Sequence, residues 1–156
     1  MKMIDVSVQN WEKYRHPIIQ FVKRYDKQNR ELYRWIFQLR KHKLSQPGTK
    51  IKLALWDGKI IALYAFLNYG TTESIFLISP NYEQTHIGTS ILKDIISDLG
   101  VCYLCLPYSQ PTLLKIALNA GMVAFAYTTQ EQGMKLWLGG GQWNINDISE
   151  KEALSP

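Results

Sequence analysis

The centre of the chain contains a turn signal that limits the folds available to it. Asp57-Gly58 separates two apolar runs, 51–56 and 59–66. Both residues of a type I′ hairpin turn take positive φ, and Asp-Gly is one of the pairs that adopt this conformation most readily. The two runs are therefore predicted to be neighbouring antiparallel strands.

Apolar spacing on either side of this hairpin predicts the remaining elements. Before it, a short strand at 4–8 precedes two helices, at 17–25 and from about 29 to 42, because apolar residues recur there with helical spacing. After it, we predict strands at 74–79, 101–106, 123–129 and 134–138 and helices at 88–98 and 111–119. Helices that alternate with strands indicate an α/β fold with a mixed sheet and helices on both faces.

Length and composition fit one domain. The chain has 156 residues, of which 46% are apolar and 20% charged, as in ordinary globular proteins. We predict a single domain at 1–138 and a tail at 139–156, which begins with three glycines expected to be flexible and continues with polar and acidic residues. Asp5 interrupts the start where a signal peptide needs its apolar run, and no apolar stretch approaches the roughly 20 residues of a membrane helix. We expect a cytoplasmic protein with no membrane partner.

The two cysteines have a spacing that invites a metal or redox interpretation. Cys102 and Cys105 form a C-x-x-C pattern inside an apolar run that is predicted to be a strand. Strand residues three apart point to opposite faces, so these thiols cannot chelate one ion. We predict two small buried side chains and no metal site.

Charge is distributed unevenly. Residues 1–59 hold nine Lys and five Arg against five acids, whereas residues 60–156 hold four Lys against eight acids. A basic half suits an acidic partner such as a phosphorylated substrate, nucleic acid or an anionic cofactor. Its basic residues, among them Arg30, Arg34 and Lys41, are dispersed, and no base-reading motif is visible. We therefore expect a solvated face and no nucleic-acid partner.

The junction between a strand and a helix at 75–92 carries the functional signal. The strand ends at Ser79-Pro80, a polar loop follows, and a helix begins around Gly88. The first turn of a helix presents unpaired N–H groups and a partial positive charge, which suits a phosphate group. A glycine there would let a phosphate approach the backbone closely.

This segment resembles the acyl-CoA-binding motif of the GNAT superfamily of acyl-CoA-dependent N-acyltransferases. In that motif a strand ends in a Pro-x-Tyr turn, followed by Arg/Gln-x-x-Gly-x-Gly/Ala and a helix. Pro80, Tyr82 and Gly88 fall in register with it. The resemblance extends to the hairpin at 56–61 and to the helix end at 119–122, covering roughly residues 4–138. It implies the GNAT fold, an α/β architecture with a mixed, mostly antiparallel central sheet and helices on both faces.

The resemblance also implies a co-substrate, acetyl-CoA or a related acyl-CoA, and an N-acyltransferase activity, most simply acetyl transfer. The pantetheine arm would pair with Leu77 and Ile78 as an added strand, and Gln110 would hydrogen-bond the cofactor. The acceptor would be an amine on a small molecule or peptide, and the sequence is compatible with a homodimer. The pyrophosphate would bind the backbone of Gln84, Thr85, His86, Ile87, Gly88 and Thr89.

Departures from the family pattern leave the chemistry open. Glu83 occupies the Arg/Gln position and His86 that of the first glycine. The tyrosine that serves the family as a general acid corresponds to Ala117, which cannot donate a proton. The catalytic candidates are Glu73 as a base and Tyr108, with its neighbour Ser109, as a replacement acid. The alternative function is a GNAT-fold binding or regulatory module without catalysis.

Overall fold

A computed structural model of the chain describes residues 1–26, 31–83, 85–131 and 133–148. Strands and helices alternate through its second half, as predicted. The elements, in chain order, are β1 (Lys2–Val6), α1 (Trp11–Tyr25), α2 (Glu31–Gln38), β2 (Lys50–Trp56), β3 (Lys59–Leu67), β4 (Glu73–Ile78), α3 (Ile87–Leu99), β5 (Val101–Pro107), α4 (Pro111–Asn119), β6 (Val123–Gln130) and β7 (Gly133–Gly141).

The strands form two antiparallel sheets. The first has the order β1-β2-β3-β4 and the second the order β5-β7-β6. The predicted hairpin joins β2 to β3, and its turn residues have the expected positive φ, 52° at Asp57 and 77° at Gly58. Within the described part of the chain, β4 pairs with β3 and β5 pairs with β7, with no ladder between β4 and β5. The two sheets therefore separate at these two strands.

Helices cover both faces of the first sheet, as the sequence predicted. Along β3, Leu63 and Ala65 pack on the side of α1 and α2. Tyr64 and Phe66 point the other way, toward α3 and α4. A central strand that is buried on both faces reads as a continuous apolar run, which is what 60–67 shows.

The N-terminal helices differ from their predicted bounds. The first begins at Trp11 and contains Pro17 within it. Trp11 and Ile18 lie two turns apart on one face and are 2% and 0% exposed. Because both are buried on the same face, the helix begins before Pro17, the residue that was expected to start it. The second helix ends at Gln38 and is followed by a short 3₁₀ helix at Lys41–Ser45, while its predicted start at 29 lies outside the described residues.

The predicted flexible glycines are part of the sheet. Strand β7 runs to Gly141, so the predicted domain boundary at 138 falls inside it. A Cβ on Gly139 would lie 2.6 Å from the Cβ of Trp143, and one on Gly140 would lie 2.9 Å from Cδ1 of Ile96. These glycines serve close packing, which their clustering in the sequence does not reveal.

The segment after β7 also packs on the second sheet. The backbone N–H of Asn144 donates to the hydroxyl oxygen of Tyr103 at 2.8 Å. The Tyr103 hydroxyl in turn contacts the carboxylate of Asp147. Ile148 is 3% exposed in the same cluster. Residues 142–148 are therefore integral to the fold, and the remainder of the predicted tail lies outside the described residues.

Candidate functional site

A cavity of about 290 Å³ occupies the space where the two sheets separate. Its walls come from β4, from β5 and from the start of α4. From β4 come Phe76, Leu77 and Ile78, and from β5 come Cys105 and Leu106. The predicted cofactor contact Gln110 also lines it, together with Ser109. The sequence thus identified two of the elements that meet at this cavity.

The hydrogen bonding of β4 determines which backbone groups face this cavity. The N–H of Ser79 donates to the carbonyl oxygen of Ile61 at 2.8 Å, and Leu77 lies opposite Leu63 in the same ladder. Backbone groups of successive residues in an antiparallel pair point alternately toward and away from the partner strand. The amides of Phe76 and Ile78 are therefore directed toward β5, whereas Leu77 contributes its side chain to the wall.

The loop before α3 is short and held by local bonds. Pro80–Tyr82 forms one 3₁₀ turn. The hydroxyl of Thr85 donates to the carbonyl oxygen of Tyr82 at 2.6 Å, and the N–H of Ile87 donates to that hydroxyl at 3.4 Å. His86 occupies the position before the helix without capping it through its side chain. Thr85 and His86 are exposed, and Gln84 lies outside the described residues.

Gly88 has a packing role that the motif did not predict. It is buried in the first turn of α3. A Cβ there would lie 2.5 Å from the Tyr64 hydroxyl oxygen and 3.2 Å from Cδ1 of Ile116. Its missing side chain lets α3 pack against β3 and α4, and its Cα faces the core instead of the loop. The Tyr64 hydroxyl is buried without a partner in the described residues, and burial raises its pKa well above the ordinary value.

The catalytic candidates lie in different environments. Glu73 is exposed at the start of β4 and lines a second, larger cavity of about 870 Å³. Tyr108 is 60% exposed and does not belong to the described walls of either cavity. Ala117 is fully buried in the core against α3, so α4 offers no hydroxyl at the family's acid position.

The larger cavity adjoins the smaller one. Leu32, Ser74 and Cys105 line both, so the separation between β4 and β5 opens on one side onto a space walled by α2, by 70–74 and by β7. Burial raises the pKa of the Cys105 thiol to about 11, and the charge of Lys135 lowers that pKa by a smaller amount. This thiol is therefore protonated at neutral pH.

Several of these lining residues were not identified as site residues from the sequence. Ser74 and Lys135 carry no motif, and only the pairing of distant strands brings them to the cavity. Cys102 packs in the core with α3, while Cys105 packs against the cluster on the opposite face, which confirms the predicted opposite orientations. No group of three or more potential metal ligands occurs among the residues that the structure describes. None of the helices in that part of the chain is long and apolar enough to span a membrane.

Comparisons with solved structures define the class to which this fold belongs. No protein-family model matches the sequence, and no curated protein sequence matches it. An acetyltransferase of the GNAT family from Streptococcus pneumoniae superposes with a TM-score of 0.63 at 11% identity, over 90% of this chain and 99% of that one. The chain therefore has the GNAT acetyltransferase fold, with its α/β architecture and helices on both faces of the sheet.

Two further solved structures are of acetyltransferases named for an acceptor. The aminoglycoside acetyltransferase AAC(6')-Ib in complex with coenzyme A and kanamycin gives a TM-score of 0.61 at 10% identity, over 90% of this chain and 94% of that one. A mutant of the spermidine N-acetyltransferase SpeG from Vibrio cholerae gives 0.60 at 9% identity, over 91% and 95%. At such identities the likeness establishes the fold.

Proposed function

We propose that this chain is an N-acyltransferase that moves an acyl group, most simply acetyl, from acyl-CoA to an amine. One observation carries the proposal: in a chain with the GNAT fold, the outward amides of β4 face a cavity between the two sheets. An extended ligand can add to such an edge as an extra strand, with main-chain hydrogen bonds providing affinity. The neighbour bound to coenzyme A supports the choice of acyl-CoA.

We propose a place for each part of the cofactor around the cavity. The pantetheine arm would pair with the amides of Phe76 and Ile78, beside the side chain of Leu77. Gln110, at the start of α4, would supply a polar contact. The pyrophosphate would bind the backbone at the start of α3, across Thr85, His86, Ile87, Gly88 and Thr89, with Gln84 before them, because a helix N-terminus attracts anions.

Charge at this cavity works against tight binding. Glu83 is half-buried and is the one charged side chain among the described residues of its wall. A carboxylate close to a pyrophosphate is repelled by it. The proposed enzyme would therefore bind CoA mainly through backbone groups, and weakly for its fold.

The chemistry requires a neutral amine to attack the thioester carbonyl carbon. As the new C–N bond forms and the C–S bond breaks, the amine loses a proton and the CoA sulfur leaves as a thiolate. Glu73, on the wall of the larger cavity, is the proposed acceptor of the amine proton. A thiol with a pKa near 8.5 leaves without much help at neutral pH, so Ala117 does not prevent the reaction. Tyr108 and Ser109 remain the proposed sources of a returning proton.

The second function is a GNAT-fold binding or regulatory module without catalysis, and it is favoured by the lack of a hydroxyl at Ala117 and by the carboxylate of Glu83. Calorimetry with CoA and acetyl-CoA, followed by a thiol-release assay with acetyl-CoA and a panel of amines, separates the two. Binding with amine-dependent thiol release supports the enzyme. Binding with no release above the rate without amine supports the module, and no binding at millimolar CoA contradicts the enzyme and favours a module that does not use CoA.

A further inference from the structure

The wall of the larger cavity has a net positive charge, whereas a polycationic acceptor needs a negative one. The described residues of its wall include four cationic side chains and one carboxylate, Glu73. The cationic residues are Arg34, Arg40, Lys43 and Lys135. Even if Glu73 neutralises one of them, the wall keeps a positive excess.

These cationic residues come together from separate parts of the chain. Arg34 lies on α2, Arg40 and Lys43 follow that helix, and Lys135 lies on β7 in the other sheet. Lys135 is close enough to influence the thiol of Cys105, and that cysteine also lines the smaller cavity. The positive charge is therefore contributed by several elements and extends to the junction with the proposed CoA site. Cations on the outer face of a single helix would not line the cavity in this way.

The charged groups of this wall are mostly hydrogen-bond donors. An ammonium-rich ligand needs carboxylates and carbonyl oxygens around it, whereas the charged groups here are guanidinium and ammonium donors, with Glu73 as the one carboxylate among the described residues. The neutral polar side chains can donate or accept, so they do not distinguish an anion from a cation. They are Gln38, Thr71, Thr72 and Ser74.

We infer that the acceptor of this chain is an amine that also carries an anionic group, a carboxylate or a phosphate, held by Arg34, Arg40, Lys43 and Lys135. This inference rests on the proposed N-acyltransferase function. The attacking amine would lie at the junction with the smaller cavity, near Ser74 and Glu73, and the anionic group would lie outward among the cations. Kanamycin and spermidine carry several positive charges at neutral pH, so the charge of this cavity would repel them.

Three probes of equal chain length test the sign of the charge in the larger cavity. Glutarate, glutaramide and cadaverine are titrated into the full chain at low salt, with and without CoA. We expect saturable glutarate binding, at least about tenfold tighter than that of either other probe, and weaker at high salt because exposed charges are screened. Inorganic phosphate is titrated separately. Tighter binding of glutarate indicates a carboxylate on the acceptor, and tighter binding of phosphate indicates a phosphate.

Two variants locate the binding. The triple variant Arg34→Gln/Arg40→Gln/Lys43→Gln is expected to weaken glutarate binding about tenfold. Lys41→Gln removes a charge from the same 3₁₀ helix as Lys43 but outside the cavity wall, and should leave binding unchanged. Far-UV circular dichroism of each variant confirms that it is folded.

The inference would be overturned if cadaverine bound as tightly as glutarate, if glutarate binding survived in the triple variant, or if no anion bound at tens of millimolar. Binding of CoA is measured for the same proteins and should not change in the triple variant. An equal loss of CoA affinity would assign the cations to the cofactor and contradict the inference. Anion binding without CoA binding would reject the proposed enzyme and leave the anion-binding cavity in place.

Discussion

Ser79 donates its backbone N–H to the carbonyl oxygen of Ile61 at 2.8 Å, and this bond sets the direction of every amide along β4. Because directions alternate along a strand, Ile78 and Phe76 present their backbone groups to the space between the sheets. The expected pair from the sequence was Leu77 and Ile78. The bond therefore shifts one of the two proposed pantetheine contacts by one residue.

Replacing Ile78 by proline tests this assignment. The outward N–H of Ile78 is not needed by β3, so Ile78→Pro removes a donor from the cleft without breaking the ladder. Ile78→Ala loses the same buried side chain but keeps the N–H. We expect the proline variant to bind CoA about three- to tenfold more weakly than the alanine variant by calorimetry, the value of one hydrogen bond. Equal affinities would show that this amide is not used.

The contact between Gly88 and Tyr64 predicts a steric coupling. Gly88→Ala should destabilise the protein by about 1–3 kcal/mol, because the new Cβ meets the Tyr64 hydroxyl in a close-packed core. Tyr64→Phe removes a buried hydroxyl that has no partner among the described residues, and it should be neutral or stabilising. In the Tyr64→Phe background the cost of Gly88→Ala should fall. Urea denaturation of the four proteins measures this coupling, and an unchanged cost would mean that the hydroxyl is not the limiting contact.

Glu83 is expected to oppose CoA binding. Glu83→Arg should tighten CoA binding about three- to tenfold at low salt. The CoA affinity of Glu83→Gln should lie between that of the unmodified protein and that of Glu83→Arg. The gain should shrink as salt is raised, because salt screens the interaction with the phosphates. Calorimetry at two ionic strengths measures both effects. Weaker binding by the arginine variant would show that the pyrophosphate does not lie beside this residue.

Glu73 is expected to matter more than Tyr108 if the chain is an enzyme. Glu73→Gln should lower the acyl-transfer rate about 10²–10⁴-fold, the usual contribution of one general base. The loss should be largest below the pKa of the acceptor amine, where a proton must be removed. Tyr108→Phe should change the rate little, since that side chain is 60% exposed and outside the described cavity walls. A Glu73→Gln effect below about threefold would remove Glu73 from the mechanism.

The thiol of Cys105 should be protected from alkylation. Its pKa of about 11 lies above the ordinary 9.0 because of burial, and only the thiolate reacts with iodoacetamide. At pH 8 the folded protein should react about a hundredfold more slowly than the urea-unfolded chain, and the rate should rise as pH approaches 11. Mass spectrometry of the labelled site gives the rate. Alkylation at the unfolded rate would show that burial does not protect this side of the cavity.

Local patterns in the sequence were enough to predict most of the elements. The helix Pro111–Asn119 was predicted at its exact bounds, because a proline at its start and a glycine beyond its end are both local signals. The β2–β3 hairpin follows equally from Asp57-Gly58. The strand, loop and helix of the proposed cofactor junction were predicted because they are contiguous in the chain.

Features that depend on distant neighbours could not be predicted in this way. Gly139 and Gly140 read as flexible residues, yet each is required by a side chain that packs against it. Gly88 lies in the predicted motif, but its small size serves contacts with Tyr64 and Ile116. Local spacing does not reveal which side chain will lie opposite a glycine, because that depends on how helices pack on sheets.

The sequence by itself determined the order of the elements and the segment proposed to hold the cofactor, since both arise from hydrophobic periodicity and turn residues that act within a few positions. Tertiary structure alone decided what surrounds the larger cavity. In the sequence, Arg34 reads as one charge on a solvated helix, and Lys135 as one charge near the start of a strand. They line the same cavity because burial of two apolar clusters brings α2 and β7 to opposite sides of the separation between β4 and β5.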